Sequence, residues 1–306
     1  MSSADDLASL LLVPENGSNS QVAQIAHRQE LIVKWGGIPP GAKVLELGCG
    51  QGDCTIVIAD LVGENGSVDA VDPAPPDYGK PWRTSKWAHL SNIWILGAPF
   101  TVEQAQRHIS SSRFGSRITW IRAHPLEFLP EGSAEPKYDI GILAHCLWYF
   151  SSPSIITSTL QRLSSLCKRI YIAEWSLYSS TPAAHPHVLS ALTQASLECR
   201  KPESVSNVRT VISPAAIKVL AEQVGLKLIK EGHVSPGGYL LDGKWEVAAV
   251  SNAEFIKEVE ENVVNEREKA VIFALRDAML RSIEAVEGGR KGVQSMDVWC
   301  SVFINL

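Results

Sequence analysis

The chain has 306 residues, 45% of them hydrophobic and 20% charged, a balance that builds a packed core and excludes disordered, collagen-like and coiled-coil chains. Asp and Glu number 33 against 28 Lys and Arg, a formal charge of −5, whereas a polyanion binder carries a basic excess, so nucleic acid is not expected as a partner. The six cysteines are spread without C-x-x-C pairs, which favours reduced thiols and a cytoplasmic setting. Asp5 and Asp6 precede the apolar run Leu7 to Val13 where a signal peptide would be basic, and no apolar stretch approaches ~18 residues, so neither export nor a membrane is expected.

Gln21 to Trp35 spaces Val22, Ile25, Ile32 and Trp35 as a helix ending at Gly36-Gly37. Lys43 to Leu47 is a short apolar run breaking into glycines, as a buried parallel strand does before a tight turn, and a helix follows over Asp53 to Val62. Val68 to Val71 is the next strand, ending at Asp72 before a cluster of prolines. Further on come a helix over Thr101 to Ile109, a strand over Arg117 to Arg122 and a buried strand over Tyr138 to Ala144. A helix opened by Ser152-Pro153 with a face of Ile156, Leu160, Leu163 and Cys167 leads into a strand over Arg169 to Trp175. Ser213 as N-cap, Pro214 at the first helical position and Gly225 at the end mark another helix, followed by a strand over Leu226 to Glu231. Ser251 with Glu254 fits a capping box for one long amphipathic helix through Phe255, Ile256, Val259, Val263, Ala270, Ala274 and Ala278 toward Gly288-Gly289, and Asp297 to Asn305 is a last strand. Strands alternating with helices predict an α/β chain with a Rossmann-like doubly wound sheet.

The segment Val44-Leu45-Glu46-Leu47-Gly48-Cys49-Gly50-Gln51-Gly52 carries the most information. Alternate glycines after a strand let backbone approach a bulky ligand and aim the next helix N-terminus at it. The acid Asp72, at the end of the next strand, stands about 20 residues on, where an acid typically binds ribose hydroxyls. A nicotinamide fingerprint would put its third glycine at position 53, which is Asp53. With the acid Glu46 inside the motif, the chain resembles class I S-adenosylmethionine-dependent methyltransferases over most of residues 20 to 250 plus the last strand. The resemblance implies a seven-stranded sheet with helical cap insertions, S-adenosyl-L-methionine as cofactor and methyl transfer to a small molecule. It places Glu46 near the methionine amino group, Gly48, Cys49, Gly50 and Gly52 along the cofactor, and Asp72 on its ribose. Where the family has an acid after the third strand this chain has His124, which either bonds adenine or is a loop histidine. Tyr138 to Phe150 resembles the fourth motif, with Ala144 and His145 beside the cofactor.

In-line displacement at a methyl needs mainly positioning, so few catalytic residues are required. His145, at the carboxyl end of a central strand, is the candidate general base; otherwise it only packs. Trp148 and Tyr149 line the acceptor pocket or belong to the core. His185-Pro186-His187 has no third ligand at metal spacing, so no metal is expected and the segment reads as a loop or, with His187 toward substrate, a pocket wall. Scattered motifs containing His187, Asn207 and Arg209 resemble a fungal branch tied to secondary-metabolite pathways, with Asn207 and Arg209 as candidate substrate contacts. One methyltransferase domain over 1–306 is expected, with a core at 20–178, 209–250 and 296–306 and caps at 179–208 and 251–292. The alternatives are a cofactor-binding protein that catalyses a cyclisation or rearrangement, and a binding partner without turnover. The residues do not reveal the oligomeric state.

In the resembled branch an Asp-Tyr-Gly turn runs nearly straight into a Pro-x-Thr segment. Here Asp77-Tyr78-Gly79 and Pro99-Phe100-Thr101 are separated by residues 80–98, which hold Trp82, Trp87 and Trp94, three of the nine tryptophans. The insert reads either as a retained intron or as a substrate-binding insertion.

Overall fold

The computed structural model describes residues 1–12, 18–79, 100–132, 135–201, 204, 206 and 208–305. A short helix α1 (Ala4–Ala8) and a long one, α2 (Ser18–Trp35), lead into β1 (Lys43–Leu47), α3 (Asp53–Val62) and β2 (Ser67–Asp72). There follow α4 (Val102–Ser110), β3 (Ile118–Arg122), α5 (Pro125–Phe128), β4 (Tyr138–Ala144), α6 (Pro153–Leu166) and β5 (Cys167–Trp175). The last third holds α7 (His185–Glu198), α8 (Pro214–Gln223), β6 (Leu226–Val234), α9 (Asp242–Ser251), α10 (Ala253–Asn262), α11 (Glu266–Glu284) and β7 (Val298–Asn305).

Seven strands form one sheet in the order β3-β2-β1-β4-β5-β7-β6. The first five are parallel, and β7 runs antiparallel between β5 and β6. β1 and β4 are fully buried over Val44, Leu45 and Leu47 and over Ile142 and Leu143, because helices cover both faces of the sheet. α2 packs on α3 and reaches β6 and β7, with the Trp35 indole N–H donating to the Ile172 carbonyl at 3.1 Å; α6 packs with α5 and α8 and rests on β5. Strand order reverses between β1 and β4, which opens a crevice beyond their carboxyl ends.

The predicted strands and helices through β6 are present within a few residues, and the caps behave as the sequence suggests. The hydroxyls of Ser152 and Ser213 accept from the amides of Ile155 at 3.3 Å and Ala216 at 3.2 Å. The long helix expected from Ser251 is a correction: it is two helices, with a third before them. Ser251 ends α9, and Asn252 caps α10 by accepting from the Phe255 amide at 2.8 Å. Asn265 then caps α11, accepting from the Arg267 amide at 2.9 Å. The break resets the helical register, so Ala270, Ala274 and Ala278 face solvent while Ile272, Met279 and Ile283 turn inward. These pack with Leu197 of α7 and Val247 and Val250 of α9 into a second hydrophobic cluster beside the sheet's own core.

The insert 80–98 lies outside the described residues. The chain on its two sides meets in a closed seam: the Tyr78 carbonyl accepts from the Val102 amide at 2.9 Å and the Pro76 carbonyl from the Glu103 amide at 3.0 Å. A Cβ on Gly79 would stand 2.7 Å from the Phe100 carbonyl oxygen. Among the described residues, no helix is long and apolar enough to cross a membrane, and no group of three or more His, Cys, Asp or Glu is arranged to hold a metal.

Candidate active site

At the β1–β2 end of the crevice the backbone does most of the shaping. Gly48, Gly50 and Gly52 all have left-handed φ, at +79°, +51° and +100°, a region L side chains rarely enter. Their roles differ. A Cβ on Gly48 would meet the Cys146 Cβ at 2.5 Å, and one on Gly52 would meet Ile109 and Trp120 at 2.7 Å, so these two are close-packing glycines. A Cβ on Gly50 would meet nothing within 4 Å, so this backbone borders open space. The Gly50 amide donates to Oδ2 of Asp72 at 2.8 Å and the Ala74 amide donates to Oδ1 at 2.8 Å. That fixes the carboxylate and leaves each oxygen a further lone pair for a ligand hydroxyl. A cavity of about 280 Å³ borders Asp72, walled by Ala74, Gln106, Trp120 and Arg122.

Glu46 is 1% exposed and accepts from the Thr55 hydroxyl at 2.6 Å. Burial raises its pKa to about 7, with the Thr55 hydrogen bond pulling the other way. Burial also raises the thiols of Cys49 and Cys54, which makes them poor nucleophiles. Arg28 of α2 stands 3.5 Å from Asp53, and Asp53 and Asp242 outweigh the burial that opposes its charge.

The β4–β5 end is built from side chains that are distant in sequence. His145 follows β4 with φ +55°, a strained conformation for a non-glycine residue, held by its amide donating to the Ala173 carbonyl at 2.8 Å. Its Nε2 lies 3.0 Å from Nε2 of His27 on α2, its Nδ1 lies 3.9 Å from Oε1 of Glu174, and its ring packs 4.5 Å from that of Trp175. Glu174 accepts from the amides of Leu147 at 2.9 Å, Trp148 at 3.4 Å and Trp175 at 3.0 Å, while burial raises its pKa to about 7. Burial, and then the charge of Arg28, lower His145, and the same two causes lower His27, so both imidazoles are neutral at pH 7. His187 accepts from the Met296 amide on Nδ1 at 3.0 Å, packs 5.0 Å from Trp175, and is pushed by burial down to about 3. Tyr149, in the short turn after β4, is 50% exposed. Desolvation, and then the charges of Asp242 and Glu246, raise its phenol pKa. Gln194 donates to Glu246, whose own pKa is raised by burial to about 7.

The family model for protein-L-isoaspartate(D-aspartate) O-methyltransferases matches residues 9–94. The chain is 27% identical to Methyltransferase phomM' of Diaporthe leptostromiformis over 96% of its own length and 79% of that protein's. Among solved structures, a cyclopropane-fatty-acyl-phospholipid synthase-like protein from Lactobacillus casei superimposes with a TM-score of 0.77 at 26% identity, covering 98% of both chains. The fold is that of the class I S-adenosylmethionine-dependent methyltransferases, and the chain's likenesses are to methyltransferases. Geranyl diphosphate methyltransferase, solved with its S-adenosylmethionine, shares the fold at 13% identity and a TM-score of 0.50, over 98% of this chain and 95% of that one.

In this chain Glu46, Gly48, Cys49, Gly50 and Asp72 gather at the β1–β2 end, and Ala144, His145, Tyr149 and His187 around β4 and β5. Gly52 lies at the start of α3, turned into packing. Trp148 is 3% exposed and its indole N–H donates to the Ile212 carbonyl at 3.1 Å, which makes it core rather than a pocket wall. His124 is exposed at the start of α5, with its amide donating to Glu127 at 3.2 Å. Arg209 is exposed, its guanidinium donating to the Ser206 carbonyl at 2.9 Å, and Asn207 lies outside the described residues. Sequence reading missed His27, Arg28 and Glu174 as site residues. His27 sits on the face of α2 that also buries Leu31, and nothing in its neighbourhood sets it apart from a core residue.

Proposed function

We propose that this methyltransferase binds S-adenosyl-L-methionine across the carboxyl ends of β1, β2 and β4 and methylates a small acceptor of the secondary-metabolite kind. The observation that carries this reading is the Asp72 carboxylate pinned by the Gly50 and Ala74 amides beside a glycine with open space on its Cβ side. Such a cradle fits a ribose diol, and the remaining lone pairs of Asp72 accept its hydroxyls. Glu46, buried and close to Arg28, suits the ammonium and carboxylate of an amino-acid moiety. When bound, the cofactor supplies a methyl group activated by a sulfonium. The chain's part is to align the acceptor, exclude water and accept a proton if the acceptor carries one. Helices α7 and α9–α11 serve as the cap, and the half-exposed Tyr149 after β4 forms part of the acceptor wall. Likeness to the Diaporthe relative, together with the resembled fungal branch, supports a natural-product-like acceptor.

Titration calorimetry with S-adenosylmethionine and S-adenosylhomocysteine, on the wild type and on Asp72→Ala, tests the site. Loss of the charged hydrogen-bond partner is expected to weaken binding by about 1–3 kcal/mol, roughly tenfold to a hundredfold. Absence of wild-type binding overturns the reading. Mass spectrometry of an acceptor screen then separates methyl transfer from conversion without methyl loss, which would indicate a cyclase.

A further inference from the structure

The cavity beside Asp72 offers a ligand few free acceptors. Asp72 forms part of its wall, Ala74, Pro76, Val102 and Ile121 supply apolar surface, and the other polar groups lie mostly on α4. Most of these are already engaged. The Ser110 hydroxyl donates to the Gln106 carbonyl at 2.8 Å and accepts from the Trp120 indole N–H at 2.9 Å. Glu103 accepts from the Arg107 guanidinium at 2.8 Å, and Arg107 and Arg122 have hydrogens to give but no lone pair. Gln106 differs. Its Nε2 donates to the Gly50 carbonyl at 2.9 Å, and a carbonyl can only accept, so the orientation of this side-chain amide is fixed. Among the described residues nothing donates to its Oε1, and this oxygen is not one of the buried side-chain atoms sealed without a partner. Oε1 is therefore an oriented, accessible acceptor on a side chain that lines the cavity.

We propose that Gln106 reads the base of the cofactor: its Oε1 accepts from the exocyclic amine of adenine while Asp72 holds the ribose. The inference rests on the S-adenosylmethionine reading of the site. A nucleoside whose ribose sits on Asp72 carries its base into this cavity or out to solvent, and the apolar walls favour the cavity. The adenine amine loses water there and needs an acceptor. His124, the sequence candidate for this contact, does not line the cavity and lies exposed at the start of α5. Gln106 also ties the two halves of the nucleoside site together. It holds the carbonyl of Gly50, whose amide pins Asp72, so the base and ribose contacts share one residue of the glycine loop. The consequence is specificity: a base that lacks the amine leaves Oε1 covered and unpaired.

Calorimetry on the full chain with S-adenosylhomocysteine and its analogue carrying unsubstituted purine, which has hydrogen in place of the amine, tests this contact. The wild type is expected to bind the adenine ligand about fivefold or more tightly than the purine one. Gln106→Met keeps the length of the side chain but removes the acceptor, and should remove most of that preference. A side chain that only held Gly50 would, on substitution, weaken both ligands alike and leave their ratio unchanged. Glu103→Gln and His124→Ala should keep the ratio. Equal binding of the two ligands by the wild type overturns the inference without any variant, so it stays testable even where Gln106→Met does not fold. A ratio unchanged in Gln106→Met, or lost in Glu103→Gln or His124→Ala, overturns it as well. Failure of both ligands to bind the wild type instead removes the cofactor reading itself and this contact with it, a result distinct from equal binding.

Discussion

The two ends of the crevice lie on neighbouring strands of one sheet and are built by opposite means. At β1–β2 the working parts lie between Glu46 and Ala74, and they are mostly main chain: left-handed glycines, two amides and the carboxylate those amides hold. At β4–β5 the parts come from positions 27, 145, 174, 187 and 242, on five separate segments, and they are buried titratable side chains. The first end is rigid because its backbone conformation is demanded locally. The second has its chemistry set by how completely packing removes water, which moves acids up and imidazoles down.

Two glycine substitutions break that comparison most sharply. Gly48→Ala combines a left-handed φ with a Cβ 2.5 Å from that of Cys146, the contact joining the two ends. Overpacking of about 1–3 kcal/mol and about 1–2 kcal/mol of backbone strain are expected to add, seen as a large fall in unfolding free energy by denaturant titration. Gly50→Ala carries only the strain, so its stability loss should stay near 1–2 kcal/mol while its methyl projects into the proposed cofactor space and weakens S-adenosylhomocysteine binding. Equal stability losses in the two variants would show that the glycines are interchangeable.

Buried acids sharpen the comparison through pH. Glu46, Glu174 and Glu246 are each raised by burial to about 7, so the folded chain keeps protons that the unfolded chain releases near 4.5, and stability falls as pH rises through this window. His187, lowered to about 3, works in the opposite direction, but its gain is complete near pH 6.5. Between pH 6.5 and 8 the carboxyls dominate, and unfolding free energy should drop by roughly 1 kcal/mol for each. Glu246→Gln keeps the Gln194 partner and should remove one share of the slope; an unchanged slope would mean that Glu246 is ionised throughout.

Smaller effects lie away from the crevice. Asn265→Ala removes the acceptor for the Arg267 amide and should cost about 1 kcal/mol, read as a modest fall in Tm. Deleting residues 80–98 joins two sides that already meet at the Tyr78–Val102 hydrogen bond, and shortening that connection changes loop entropy by only about 1 kcal/mol. Cooperative unfolding near the wild-type temperature is expected, and collapse of the fold would show the segment to be structural.

Amphipathic spacing and cap residues made most of the fold legible, down to Asp53–Val62 and Tyr138–Ala144. The stretch after Ser251 failed because apolar positions at helical spacing look alike whether or not a break intervenes, although Asn252 and Asn265 were the available signs of two new starts. The sequence by itself determined the glycine loop, since left-handed φ, a short turn and an acid at the next strand end are properties of consecutive residues. Only the tertiary structure decided which histidine faces which carboxylate. His27 and His145 are 118 positions apart, and hydrogen bonds and desolvation act over a few ångströms of space, which no spacing along the chain encodes.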